Sequence, residues 1–89
     1  MPDLLHEYWQ DDGSGSFGPV REGSDQFRLR MNPDARLVFS LYASSWNQAM
    51  QLRNERLGYG DYQPIEDDED VVYTEEEKTE QDHYLKVRA

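Results

Sequence analysis

The residues able to do chemistry in this chain are few, and their spacing narrows the choices quickly. Gly13-Ser14-Gly15-Ser16-Phe17-Gly18-Pro19-Val20 satisfies G-x-G-x-x-G and the longer G-x-G-x-x-G-x-V of phosphate-binding loops. Glycines alone do not hold a phosphate, because a helix must open directly behind them and point its N-terminus at the anion. Pro19 and Gly23 predict no long helix there, Asp11 and Asp12 repel phosphate, and the first lysine in the chain is Lys78. The stretch is read instead as a flexible Gly/Ser loop joining two strands.

Glu66-Asp67-Asp68-Glu69-Asp70 invites a calcium reading. An EF-hand loop needs glycine at its sixth position, and counting from Asp67 or Asp68 that position is Val72 or Tyr73. The only histidines, His6 and His83, stand at opposite ends of the chain, and no motif couples His6 to Ser14 or Ser16 as a nucleophile. Among 19 acidic residues, any pair of carboxylates could be picked for acid/base work, so no pair is informative. With 0 Cys, thiol catalysis, disulfides and thiolate metal sites are excluded. The expectation is a protein that is not an enzyme and carries no cofactor or metal.

Charge is the stronger signal. The 89 residues carry a formal net charge of −10. Residues 1–20 hold four acids, whereas residues 21–56 hold six arginines against four acids. Residues 57–82 hold eleven acids against Lys78 alone, and Lys86 and Arg88 follow. A polyanion gains no counterion release from another, so neither direct nucleic-acid binding nor an anionic membrane surface is expected. Arg28, Arg30 and Arg36 are expected to lie on one hairpin face, similar to β-ribbon readers of DNA. With this net charge, their expected use is pairing with the acidic block.

Next to that block lies Leu57-Gly58-Tyr59-Gly60-Asp61-Tyr62-Gln63-Pro64, whose tyrosines offer wide contact area at low entropic cost. The candidate partner-binding residues are therefore Tyr59, Asp61, Tyr62, Glu66, Asp67, Asp68, Glu69 and Asp70, and the expected partner is a basic protein surface. Carboxylates one helical turn or two strand residues apart stand roughly 5–7 Å from each other, comparable with phosphates along a strand. The alternatives for Tyr59 and Tyr62 are closure of the core, and for the acids plain solubility.

The elements that must position these residues follow from periodicity. Gln26 to Met31 alternates apolar and polar, Asn32-Pro33-Asp34-Ala35 has turn chemistry, and Arg36 to Ala43 alternates again. This predicts a β-hairpin of 26–31 with 36–43. Ser45 is a natural N-cap with Gln48 three residues on, and Gly58 is the expected stop, which predicts a helix over 46–57. Residues 4–9 and 84–88 are the segments able to widen the sheet. Leu4, Leu5, Tyr8 and Trp9 also fit a short helix, and the strand is preferred.

The fold class expected is α+β: a small antiparallel sheet covered by one helix. Residues 27–62 contain 17 apolar residues, and residues 63–83 only four. Residues 1–63 are thus read as a small domain, and 64–89 as an acidic segment, mobile over 64–83, with a short terminal strand. No apolar run exceeds three residues, and Met1-Pro2-Asp3 is not a basic signal start, so a cytoplasmic location is expected. The function expected is a non-catalytic acidic binding protein that occludes a basic, normally nucleic-acid-binding, protein, as an inhibitor or nucleic-acid mimic does. The alternative is a structural or housekeeping domain, homodimeric through an unpaired hairpin edge, whose acidity serves solubility.

Overall fold

A computed structural model describes residues 2–63 and 70–88. The chain runs β1 (Leu4–Gln10), β2 (Gly15–Pro19), α1 (Glu22–Met31), β3 (Arg36–Ala43), α2 (Trp46–Leu57) and α3 (Glu75–Val87). The three strands form one antiparallel sheet in the order β2-β1-β3, an α+β fold. β1 is its centre, so residues 4–9 do join the sheet as a strand, with β3 rather than residues 26–31 as neighbour.

The hairpin expected of residues 26–31 and 36–43 does not form, because residues 26–31 belong to α1. Their alternation was no burial pattern: Phe27, Leu29 and Met31 are all exposed. What holds the helix is polar. Arg28 donates to Asp25 one turn earlier at 2.8 Å, Gln26 donates to Glu22 at 3.3 Å, and Pro33 ends the run. The true hairpin is β1–β2, whose turn is built on Asp11. Its carboxylate accepts the N–H groups of Gly13 (3.1 Å) and Ser14 (2.9 Å), and Asp11 donates its own N–H to the Ser14 carbonyl at 2.9 Å. Residues 15–19 of the expected Gly/Ser loop are therefore strand.

Register puts Leu4, His6 and Tyr8 on one face with Phe17, Phe39, Leu41 and Ala43. α2 covers this face: Ala49 is fully buried, Trp46 tilts against Phe17, and the Arg53 and Arg56 guanidinium groups lie over Phe17 and Phe39. The α2 boundaries are those expected. Ser45 Oγ accepts the Gln48 N–H at 3.1 Å, and Gly58 closes the helix at φ 74°, a left-handed conformation that glycine adopts without a Cβ clash. Gln48 reaches one residue past the cap, accepting the Ser44 N–H at 2.6 Å.

The opposite face carries Leu5, Glu7, Trp9 and Tyr42, and α1 and α3 lie there. Arg28 stacks on the Trp9 ring at 3.7 Å, Lys78 lies over Tyr42, and Arg88 reaches Glu7. Residues 84–88 thus supply helix and its C-cap rather than a strand. Nor are residues 75–83 a mobile tail. Thr74 caps α3 through a reciprocal box with Glu77, and Val72 bridges Ser45. Of the expected mobile segment, residues 64–69 lie outside the described residues.

Candidate functional site

The interior is as polar as it is apolar. Leu4, Val20, Ala43, Ala49 and Tyr73 are buried, and so are His6, Glu7, Asp25, Ser45, Asn54 and Gln81. No buried side-chain polar atom among the described residues lacks a partner. The most concentrated group joins β1, α1 and α3. Arg88 donates to both Glu7 oxygens (2.6 and 3.0 Å) and to both Asp25 oxygens (2.9 and 3.1 Å). Arg28 and the Tyr84 hydroxyl complete Asp25, and Trp9 Nε1 donates to Glu7 at 3.0 Å.

Burial opposes ionisation of Asp25, but hydrogen bonds from Tyr84, Arg28 and Arg88 outweigh it and hold the carboxyl below its ordinary value. Burial, the Asp25 bond and the Asp25 charge push the Tyr84 phenol up. Hydrogen bonds to Glu7 raise the Arg88 guanidinium against the opposing effect of burial. A cleft of about 370 Å³ opens beside this group, between β2 and α1, with Trp9, Gly18, Gly23 and Phe27 in its wall. Both acids at its floor are saturated by arginines, so neither is free to act as base or ligand.

His6 is equally committed. Its Nδ1–H donates to the Leu4 carbonyl at 2.9 Å, and Nε2 accepts the Tyr73 hydroxyl at 2.7 Å. A carbonyl can only accept, which places a proton on Nδ1, and burial, which lowers the His6 pKa, favours the neutral ring whose Nε2 accepts from Tyr73. Ser14 and Ser16 are exposed on the turn and strand, and the Ser14 hydroxyl donates to the Asp11 carboxylate at 3.0 Å as part of the turn. The glycine motif is also divided between turn and strand. α1 does open three residues after Pro19, against expectation, but Glu22 and Asp25 occupy its first turn, and Arg21 makes no side-chain cap. An anion meets two carboxylates there. No group of three or more His, Asp or Glu side chains among the described residues is arranged to hold a metal ion.

The expected partner-binding residues begin where α2 ends. Tyr59 donates its N–H to the Asn54 carbonyl at 2.9 Å while the residue as a whole is 67 % exposed. Gln51 then gathers the loop: its Nε2 donates to Asp61 at 3.1 Å, and its Oε1 accepts the Tyr62 N–H at 2.9 Å. Tyr62 is half-buried, Tyr59 and Asp61 exposed. Glu66, Asp67, Asp68 and Glu69 lie outside the described residues. Asp70 accepts the Asn47 N–H at 2.9 Å, supplying the carboxylate that the first turn of α2 lacks. Asp61 and Asp70 are therefore both tied to α2, one at its middle and one at its start.

Sequence reasoning left out a second set, Glu75, Glu76 and Glu80. They are exposed on α3 and make no ion pair among the described residues, whereas Glu77 pairs with Arg21 (3.0 Å) and Asp82 with Lys78 (3.2 Å). The available signal was Thr74-Glu75-Glu76-Glu77, a capping box that announces a helix and so orders the acids behind it. The expected neutralisation by Arg28, Arg30 and Arg36 does not occur among the described residues. Arg28 is spent on Asp25 and Trp9, and Arg30 and Arg36 are exposed without an ion pair there.

Fold and surface together define a small α+β protein whose candidate site is a charged ridge rather than a cleft. No protein family, curated protein or solved structure matches this chain. No helix among the described residues is long and apolar enough to cross a membrane.

Proposed function

We propose that the protein is a non-catalytic binding protein that covers a basic surface of a protein partner, as an inhibitor or nucleic-acid mimic does. The observation behind this reading is the state of the acidic block. Glu75, Glu76 and Glu80 project from one capped helix into solvent without internal counter-ions among the described residues. Glu76 and Glu80 stand one turn apart on the same side. Tyr59 and Asp61 add an exposed aromatic and a further acid on the loop that leaves α2.

An ordered row of carboxylates steers a basic partner by long-range attraction and then excludes whatever polyanion that partner normally holds. Such association is fast and weakens steeply with salt. The test is capture of partners from lysate, eluted with a salt gradient, by the unaltered chain and by a Glu75→Gln, Glu76→Gln, Glu80→Gln variant. A captured basic protein that elutes from the variant at distinctly lower salt supports the reading. Capture indifferent to both salt and the substitutions overturns it.

A further inference from the structure

Asp12 and Gly13 sit at the tip of the β1–β2 hairpin, in the turn between the paired Gln10 and Gly15. This is the one place in the sequence where an Asp or Asn precedes glycine; every other Asp or Asn is followed by a residue with a side chain. Glycine after aspartate removes the Cβ that otherwise hinders approach of the next backbone nitrogen to the side-chain carboxyl. Both residues are exposed. Nothing in the fold asks for glycine here. Gly13 is not among the residues with positive φ, and a Cβ built on it would meet no atom within 4 Å.

We infer that Asp12 is a site of spontaneous isomerisation to isoaspartate, and that the Asp11 carboxylate restrains the reaction in the folded chain. The Gly13 backbone nitrogen attacks Cγ of Asp12; a C–N bond forms, a C–O bond breaks, and water leaves carrying the amide hydrogen. The five-membered imide that results takes up water at either of its carbonyls. Cleavage of the bond from nitrogen to Cγ restores aspartate. Cleavage of the bond from nitrogen to the main-chain carbonyl carbon leaves the main chain running through Cγ, one carbon longer. Solvent water is the only co-reactant, and mass and formal charge are unchanged.

The nitrogen that must attack is the one whose hydrogen Asp11 holds. The Gly13 N–H donates to Asp11 Oδ1 at 3.1 Å, and the Ser14 N–H and hydroxyl donate to the same oxygen at 2.9 and 3.0 Å. Asn32 Nδ2, from the C-cap of α1, fixes the other oxygen at 2.7 Å. Closing the imide rotates the Asp12–Gly13 peptide and removes its hydrogen, so a charge-assisted bond to Asp11 must break first. The bond from Gly13 foremost, then those from Asn32 and Ser14, hold the Asp11 carboxyl below its ordinary value. It therefore keeps its charge and is too weak a base to take the proton itself. Isoaspartate, once formed, places an extra carbon among these donors and disturbs the contact through which Asn32 ties α1 to the hairpin. This ageing is independent of the proposed binding function.

The test incubates the chain at neutral pH, folded and in urea, and follows Asp12 by peptide mass spectrometry with electron-transfer fragmentation, which tells the two isomers of equal mass apart. Isoaspartate is expected at Asp12, forming about tenfold faster in urea and in a folded Asp11→Ala variant than in the folded unaltered chain, as loss of one charge-assisted hydrogen bond implies. Gly13→Ala, which the turn accommodates, should slow the reaction in both conditions with circular dichroism unchanged. Where Asp11→Ala does not fold, the unaltered chain in and out of urea decides. Absence of isoaspartate at Asp12 in urea overturns the site. Equal rates in the folded and unfolded chain overturn the restraint, and so does a folded Asp11→Ala variant that reacts no faster.

Discussion

Gln81 shows how much one side chain can decide in a protein of this size. β2 ends at Pro19, the Val20 N–H still donates to the Leu5 carbonyl at 2.9 Å, and the Gln81 carboxamide continues the pairing there as a short piece of strand. Its Oε1 accepts the Leu5 N–H at 2.8 Å, and its Nε2 donates to the Leu5 and Val20 carbonyls at 3.0 and 3.1 Å. Gln81→Ala leaves these backbone groups without that partner and is expected to cost about 1–3 kcal/mol, read as a lowered thermal midpoint. Gln81→Glu keeps the shape but cannot donate when ionised. Its deficit should therefore shrink as the carboxyl is protonated, and a deficit independent of pH would contradict the role assigned to Nε2.

His6 gives a second residue-scale prediction. Burial lowers its pKa below the ordinary 6.5, against the opposing pull of the Leu4 carbonyl. The unfolded chain therefore takes up the proton first. This contribution to stability is complete above the unfolded value and is lost as pH falls through the lowered folded value, by up to roughly 1.4 kcal/mol per unit of difference. Denaturation midpoints should fall from about pH 7 towards pH 5, a window well above that of the Asp25 carboxyl. A slope unchanged in His6→Leu would place the titration elsewhere. The same burial pushes the Tyr73 phenol up to about 12, which keeps its proton available for the bond to His6.

At the scale of elements, the contrast is between α2 and α1. α2 was legible because its signals are local: Ser45 at the cap, an apolar face through Trp46 and Ala49, and Gly58 at the stop. α1 was not, because its apolar residues never enter the core and its anchoring lies in Asp25, whose partners Tyr84 and Arg88 are 59 and 63 residues away. α3 combines the two cases, with a local cap at Thr74 and a remote anchor at Arg88. Thr74→Ala should cost about 1 kcal/mol by loss of the cap. Arg88→Met should cost more, roughly 3 kcal/mol, because Glu7 is left partly buried without a counter-ion beside Asp25, which keeps only Arg28. Urea unfolding of the two variants checks the order, and a milder effect for Arg88→Met would show that α3 docks by other means.

For the whole molecule, charge and stability pull against each other. Glu75, Glu76 and Glu80 carry part of the −10, and these exposed acids on α3 repel one another. The Glu7, Arg88 and Asp25 network is mostly shielded, so salt weakens it little. Raising ionic strength should therefore stabilise the fold while weakening its grip on a basic partner. Thermal melts and binding measured over the same salt series check the opposite signs. If melting fell together with affinity, exposed ion pairs rather than the ridge would govern stability.

Composition and local spacing by themselves determined the α+β class, β3, and α2 with its caps, and they left residues 4–9 between a strand and a short helix. They also located the acidic block. Each of these rests on neighbours within a few residues. Tertiary structure alone decided that β1 is central, that residues 26–31 turn helical, and which acids of α3 make no ion pair among the described residues. The physical reason is that those outcomes depend on hydrogen bonds closed across most of the chain. Leu5 meets Gln81 and Glu7 meets Arg88 only after the sheet exists to bring them together.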